Sequence, residues 1–184
     1  MFRAVFFDKD GTLIEDVPYN IKPDLIRLKR GAGGIVKTVK DAGFKVFVVS
    51  NQSGIARGYF KVEELKDVWR KLEKLCEVEF DGFYFCPHLV NGTVAEFGID
   101  CDCRKPKSGM LKQAAREHNL DLRKSWMIGD TLNDAQAGND ANCQTIFIHN
   151  SKTGDDKLIF NEFNEPRFIV ESLDEAKQII IKNK

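Results

Sequence analysis

The chain has 184 residues, and its 28 basic side chains equal its 28 acidic ones in number. A balanced charge creates no overall field that would draw the protein to nucleic acid or to an anionic membrane. No apolar run approaches the roughly 20 residues that cross a bilayer, and residues 1–3 leave no room for a signal peptide before the first apolar segment. We therefore expect a cytoplasmic monomer without nucleic-acid or membrane partners.

Short apolar strands alternate with helices along the chain. In chain order the pattern predicts a strand at 3–8, a helix at 34–44, a strand at 45–50, a helix at 61–78, a strand at 80–86, a helix at 108–120, a strand at 126–129, a helix at 132–141, a strand at 144–149, a polar stretch at 150–164, and a last strand and helix within 167–181. Ser108 stands where it would cap its helix, and Gly43 where it would end one. Such alternation indicates a parallel sheet covered on both faces. We predict one doubly wound, Rossmann-like α/β domain over residues 1–184.

Polar side chains follow four of the predicted strands, at the carboxyl ends where doubly wound sheets bind their ligands. They are Asp8, Asp10 and Thr12, then Ser50 to Gly54, then Arg104 and Lys105, then Asp130 and Asp134. Carboxylates that hold a hard cation, with a lysine and a hydroxyl, are the groups that phosphoryl transfer uses. Each segment alone has a plainer interpretation, as a solvated turn, a polar turn or a helix cap. Their position after successive strands favours a site.

A cysteine-rich segment, residues 86–103, runs directly into two cations, Arg104 and Lys105. Its candidate metal ligands form two x-spaced pairs at its ends, Cys86 with His88 and Cys101 with Cys103. Three thiolates and one imidazole are a ligand set for tetrahedral structural zinc. The alternatives are incidental buried cysteines, which the paired spacing disfavours, and a disulfide, which a reducing compartment disfavours. A zinc ion would make this loop a rigid wall that holds both cations in place.

The four polar segments resemble the four motifs of the haloacid dehalogenase (HAD) superfamily of phosphohydrolases. The matching segments are Asp8-Lys9-Asp10-Gly11-Thr12, Ser50, Lys105, and Gly129-Asp130 with Asp134. More narrowly, residues 50–60 and 86–110 are similar to the D-glycero-D-manno-heptose 1,7-bisphosphate 7-phosphatases and the related histidinol phosphatases. The likeness runs from about Val5 to about Ile148. It implies a HAD fold, in which residues 11–33 are too few to form the cap domain that many members insert there.

The resemblance also implies a role for each matching residue. Asp8 would attack phosphorus, and Asp10 would protonate the leaving sugar oxygen and then activate the hydrolytic water. Mg²⁺ would be held by Asp8, by the backbone carbonyl of Asp10 and by Asp130. Ser50 and Lys105 would stabilise the transferring phosphoryl group. The positions that match substrate contacts are Asp16, Tyr19, Asn51, Gln52, Ser53 and Arg104.

Two positions depart from the pattern of the heptose phosphatases. These proteins often carry lysine where this chain has Thr131, and they often read D-x-G-Y where it has Asp16-Val17-Pro18-Tyr19. The resemblance implies a Mg²⁺-dependent phosphatase that removes the 7-phosphate of a heptose 1,7-bisphosphate, a small phosphorylated sugar, through an aspartyl phosphate. The alternatives are a histidinol-phosphate phosphatase, a phosphatase of nucleic-acid termini, and a zinc-loop module without catalysis.

Overall fold

Six parallel strands form the central sheet of the protein. The computed structural model describes residues 1–149 and 159–184. The strands are β1 (Ala4–Phe7), β2 (Lys45–Asn51), β3 (Gly82–Cys86), β4 (Trp126–Gly129), β5 (Gln144–Ile148) and β6 (Phe168–Val170). They lie in the order β3-β2-β1-β4-β5-β6, and every neighbouring pair is parallel. This topology confirms the predicted doubly wound sheet.

Within residues 1–149 and 159–184, five helices connect and cover the strands. They are α1 (Ala32–Asp41), α2 (Leu65–Cys76), α3 (Gly109–His118), α4 (Leu132–Asp140) and α5 (Leu173–Lys182), with short 3-10 turns at Pro23–Leu25, Val62–Glu64 and Leu122–Lys124. No helix in the two described ranges is both long and apolar enough to cross a membrane.

The helix boundaries differ from the predicted ones where local backbone geometry decides them. The predicted helix 34–44 begins earlier, at Ala32, directly after Gly31 in the left-handed conformation. The predicted helix 61–78 is a 3-10 turn followed by α2, which ends because Glu77 is left-handed at φ 55°. Ser108 occupies the cap position of α3, but its side chain makes no capping hydrogen bond, so that expectation was wrong. Residues 150–158 of the predicted polar stretch lie outside the described residues.

Two apolar cores cover the two faces of the sheet. One core contains Val5, Val46 and Ile128 packed with α1, α2 and α5, and the other contains Phe6 and Phe47 packed with α3 and α4. Neighbouring residues of a strand point to opposite faces, so consecutive apolar residues supply both cores at once. All of β1 is accordingly buried. The continuous apolar runs in the sequence therefore reflect a sheet covered on both sides.

The sheet reverses its strand order between β1 and β4. These two strands are neighbours, with Phe7 opposite Ile128, although more than a hundred residues separate them in the chain. A crevice for ligands opens at such a switch point, outside the carboxyl ends of the strands. Residues 8–31, all within the described part, form loops and one 3-10 turn between β1 and α1, so the fold has no cap domain there.

Candidate active site

Three carboxylates meet at the switch point of the sheet. Asp8 directly follows β1, and each of Asp8, Asp130 and Asp134 has an oxygen that lies within 4.8 Å of the others. Asp8 is 7% exposed and Asp134 is 1% exposed. The close approach requires Gly11, which has φ +80° and whose added Cβ would lie 2.0 Å from an oxygen of Asp130. The sequence places a glycine here because no side chain fits.

Lys105 forms the centre of the site. Its Nζ lies 2.5 Å from Oδ1 of Asp8 and 2.6 Å from Oδ1 of Asp134, and it donates a hydrogen bond to the Val49 carbonyl at 2.9 Å. Burial by itself lowers the pKa of Lys105, but the charges of Asp134 and Asp8 outweigh it and raise this pKa above the usual lysine value. The residue is therefore a fixed cation held at the carboxylate cluster.

The site carries more negative than positive charge. Its carboxylates are those of Asp8, Asp10, Asp130 and Asp134, and its ammonium groups are those of Lys9 and Lys105. Burial raises the pKa of Asp8 against the opposing effect of Lys105, and burial and then the charge of Asp134 raise the pKa of Asp130 to about 6. With all four carboxylates ionised, two negative charges have no partner among these six groups, and a bound cation would favour this ionised state. The oxygen donors and this charge fit a divalent cation such as Mg²⁺.

Ser50 and Asp10 are linked through one amide. Ser50 is the next-to-last residue of β2 and is 1% exposed, and its Oγ accepts a hydrogen bond from Gln52 Nε2 at 2.7 Å. The same Gln52 nitrogen lies 3.3 Å from Oδ2 of Asp10, whose other oxygen pairs with Lys9 at 2.7 Å. Gln52, expected to contact substrate, therefore also orients the hydroxyl and the carboxylate that flank Asp8.

Asn51 binds the backbone of Lys105 with both ends of its side-chain amide. Its Nδ2 donates to the Lys105 carbonyl at 3.0 Å, and its Oδ1 accepts from the Lys105 amide at 3.0 Å. This pair of bonds joins the end of β2 to the segment after residues 86–103. Direct substrate contact by Asn51 stays a prediction, whereas the geometry makes it a residue that positions Lys105.

A cavity of about 260 Å³ opens beside Asp10. The residues that line this cavity include four of the expected substrate contacts besides Asn51, namely Asp16, Tyr19, Gln52 and Ser53. Tyr19 is left-handed at φ 54°, and its ring packs edge-on against Tyr59 at 4.8 Å. The first loop, whose sequence departs from D-x-G-Y, thus still brings its tyrosine to the mouth of the site.

Arg104, unlike the other expected substrate contacts, is not among the residues that line this cavity. Its guanidinium donates to the His88 carbonyl at 3.1 Å, within the cysteine-rich segment. The bond leaves the remaining donors of the guanidinium fork available. Arg104 is therefore positioned by the same loop that carries the candidate zinc ligands.

The four candidate zinc ligands converge as the spacing predicts. Their ligand atoms all lie within 4.8 Å of one another, with adjacent contacts of 3.5 Å (Cys86–Cys101), 3.3 Å (Cys101–Cys103), 3.3 Å (His88–Cys103) and 3.8 Å (Cys86–His88). Tetrahedral zinc with Zn–S bonds of about 2.3 Å separates its sulfurs by about 3.8 Å, so the cluster fits this ion with a small outward movement. All five cysteines of the chain are described, and all are free thiols.

Three residues of the site had no assigned role from the sequence. Asp134 pairs with Lys105, Lys9 is a buried cation on Asp10, and Thr131 donates through Oγ1 to Asp134 Oδ2 at 2.6 Å. Thr131 is the N-cap residue of α4, where Asp134 Oδ2 also accepts from its backbone N–H at 3.1 Å, and the T-x-x-D pattern is a signal that could have found this contact. Lys9 carries no such signal because lysine side chains are almost always exposed.

Comparison with known proteins places the chain in a family. A family model described as HAD-hydrolase-like matches residues 102–176. The D-glycero-beta-D-manno-heptose-1,7-bisphosphate 7-phosphatase of Haemophilus ducreyi is 41% identical over 147 residues, which cover 78% of this chain and 80% of that protein. The protein of the same name from Pasteurella multocida is 36% identical over 98% of this chain and 97% of its own length.

A solved structure agrees with these relatives. The crystal structure of D,D-heptose 1,7-bisphosphate phosphatase from B. bronchiseptica, complexed with magnesium and phosphate, aligns with a TM-score of 0.83 at 25% identity, over 100% of both chains. The protein is a HAD-like hydrolase by its fold and by the carboxylates at its switch point. Within that class, the chain belongs to the family of heptose bisphosphate phosphatases, which confirms the resemblance drawn from its motifs.

Proposed function

We propose that the protein is a Mg²⁺-dependent phosphatase that removes the 7-phosphate of D-glycero-D-manno-heptose 1,7-bisphosphate. The observation that carries the proposal is the buried pair of Asp8 and Lys105, set beside a cavity that Asp10 lines. A carboxylate held by a lysine at the end of β1 suits attack on phosphorus. The named activity of the relatives from Haemophilus ducreyi and Pasteurella multocida supports the choice of sugar.

The proposed reaction has two displacements at phosphorus. An oxygen of Asp8 forms a bond to phosphorus while the bond to the sugar oxygen breaks, and Asp10 gives its proton to that oxygen. Water then attacks the aspartyl phosphate, Asp10 takes a proton from this water, and Asp8 is released with inorganic phosphate. Ser50 donates its hydroxyl to a phosphoryl oxygen, and Lys105 keeps its bond to Asp134 while the N–H that binds Asp8 turns to the transferring group.

Mg²⁺ is the proposed catalytic cofactor. Asp8, Asp130 and the backbone carbonyl of Asp10 would hold it, and the surplus negative charge at the site supports this assignment. When bound, the ion would neutralise charge on the phosphoryl oxygens. Asp134 remains with Lys105 and Thr131, so we assign it to positioning the lysine rather than to the metal.

Zn²⁺ is the proposed structural cofactor of the cysteine-rich segment. The ligand spacing of Cys86, His88, Cys101 and Cys103 supports a closed tetrahedral site with no open position for substrate. The segment ends two residues before Lys105. We therefore assign zinc to holding the wall of the active site in place.

The choice of substrate depends on a second, remote phosphate. Arg104 adjoins Lys105, and its guanidinium fork suits bidentate binding of a phosphate that does not react. Histidinol phosphate instead carries an ammonium and an imidazole, which favour acidic partners, and Asp16 is the acidic residue of the first loop that lines the cavity mouth. Because Arg104 supplies a cation for the phosphate that does not react, the heptose bisphosphate is favoured over histidinol phosphate.

A side-by-side assay of both substrates tests this assignment. We expect kcat/KM for the heptose bisphosphate to exceed that for histidinol phosphate by at least about 100-fold, the scale of one good charged contact. Arg104→Ala should erode this preference more than it slows hydrolysis of a small generic phosphoester, and Lys107→Ala, which removes an exposed cation paired with Asp100, should leave the preference intact. Faster turnover of histidinol phosphate would overturn the assignment.

Replacement of the nucleophile tests the chemistry itself. Asp8→Asn should keep the fold but lower turnover by at least about 10³-fold, because an amide cannot attack phosphorus. The circular dichroism spectrum serves as the control for folding. Near-normal activity of Asp8→Asn would contradict the aspartyl-phosphate mechanism, and no Mg²⁺-dependent turnover of any phosphomonoester by the unmodified protein would contradict the enzyme assignment.

A further inference from the structure

A second cavity, of about 270 Å³, lies at the opposite edge of the sheet from Asp8. Its lining residues stand where strands begin: Arg3 precedes β1, Trp126 begins β4, Gln144 begins β5 and Arg167 precedes β6. The four residues of β1 separate this edge from Asp8 by about 13 Å at 3.3 Å per residue. We call it the basic cavity, and it is distinct from the active site.

The charged side chains that line the basic cavity all have the same sign. Its cations are Arg3, Arg123, Lys124, Arg167 and Lys184, and its other lining residues are Phe44, Trp126, Gln144 and Asn183. Within the described ranges, the lining contains no acidic side chain, and among the five cations only Lys124 has an ion pair, with Asp121 at 3.7 Å. This imbalance stands out in a chain whose charges cancel overall. An anion bound here would relieve the mutual repulsion of the cations.

Two of the three arginines of the basic cavity, Arg3 and Arg167, lie over aromatic rings. The Arg3 guanidinium carbon lies 4.4 Å from the centroid of the Phe44 ring, and that of Arg167 lies 5.7 Å from the Phe168 ring. Stacking fixes the plane of a guanidinium while its N–H groups stay available in that plane. In the described part of the chain, the side chains of Arg3, Arg123 and Arg167 donate no hydrogen bond to protein. Within the described residues, the guanidinium donors of all three arginines are therefore free of protein partners, and those of Arg3 and Arg167 are oriented by aromatic rings.

We propose that the basic cavity binds a small molecule that carries a chain of two or more phosphate groups. Guanidinium forks bind phosphate oxygens bidentately, and three arginines with two lysines match the three or four negative charges of such a chain. Phe44 and Trp126, both 3% exposed, form an apolar floor beneath the cations. The cavity volume limits the occupant to a small molecule. The proposal is independent of the proposed phosphatase activity because the two sites share no residue.

Calorimetric titration with inorganic tripolyphosphate tests the proposal. The protein is titrated without added Mg²⁺ as the unmodified chain, as Arg123→Ala/Arg167→Ala, and as the control Lys66→Ala/Arg70→Ala, which removes two exposed cations from α2. We expect saturable binding that the first variant weakens by at least about 30-fold, from the loss of charge-assisted hydrogen bonds. The control variant has the same net charge as Arg123→Ala/Arg167→Ala, and it should bind tripolyphosphate as tightly as the unmodified protein does.

Further titrations distinguish binding in the basic cavity from binding at the active site or by net charge alone. Arg104→Ala, which removes a cation beside the active site, should bind tripolyphosphate as the unmodified protein does, since a loss there would mean that the active site is the binding site. Equal weakening in the control variant, or no saturation at millimolar ligand, would overturn the proposal, as would binding of an acidic peptide in place of tripolyphosphate. Should the double variant lose its fold in a urea titration, Arg167→Gln repeats the test with an expected loss of about tenfold.

Discussion

Replacement of Asn51 by alanine distinguishes a residue that positions Lys105 from one that binds substrate. The side chain makes two hydrogen bonds of 3.0 Å to the backbone of Lys105, in a partly buried setting. Each of these hydrogen bonds contributes about 1 kcal/mol of net stabilisation. Their loss should therefore weaken the positioning of Lys105 by about 2 kcal/mol. If this cost appears in the transition state, kcat falls by about 30-fold while KM changes little.

A double-mutant cycle in steady-state kinetics provides the measurement. In a Lys105→Ala background, Asn51→Ala should cost little more, because the lysine that Asn51 positions is already gone. Asn20→Ala is the matched control, since Asn20 lines the same cavity and its side-chain Oδ1 accepts from the Lys22 backbone N–H at 2.9 Å, away from Lys105. A raised KM with unchanged kcat, or fully additive effects in the cycle, would refute the reasoning and return Asn51 to the substrate contacts.

Three further predictions follow from other contacts of the site. Cys101→Ala should abolish the binding of about one zinc per chain and open residues 86–103 to protease, because a structural zinc contributes on the order of 10 kcal/mol to ordering its segment; elemental analysis that finds no zinc in the unmodified protein would contradict this. Asp134→Asn removes one of the two carboxylate partners of Lys105 and should lower the free energy of unfolding by about 3 kcal/mol in a urea titration. An unchanged midpoint would show that Asp8 alone stabilises the buried Lys105 cation. Thr131→Ala removes the hydroxyl that donates to Asp134 Oδ2 at the start of α4 and should cost about 1 kcal/mol in the same assay, whereas a stability equal to that of the unmodified protein would mean that the Thr131 hydroxyl contributes nothing.

The amino-acid sequence by itself determined the fold class and the identity of the chemical groups. Consecutive apolar residues such as 4–7 can be buried on both sides only in a sheet with two covered faces, so the local pattern already specified the doubly wound architecture. The x-spaced pairs around Cys86 and Cys101 are likewise local, because two ligands at this spacing reach one ion from a single turn of chain. Such features depend on neighbours in sequence, which the sequence displays directly.

Only the tertiary structure decided how these groups are partnered. Lys105 reaches Asp8, 97 residues away in the chain, and Asp134 joins them through the pairing of β1 with β4. Likewise, Asn51 is a polar residue at the end of β2, yet its bonds to the Lys105 backbone exist only because the chain after residues 86–103 returns to that end of the strand. Helix ends shifted for a related reason, since a left-handed residue such as Glu77 stops a helix whatever apolar pattern continues beyond it. Side-chain contacts across strands depend on register and packing, and neither is encoded in the spacing of residues along one segment.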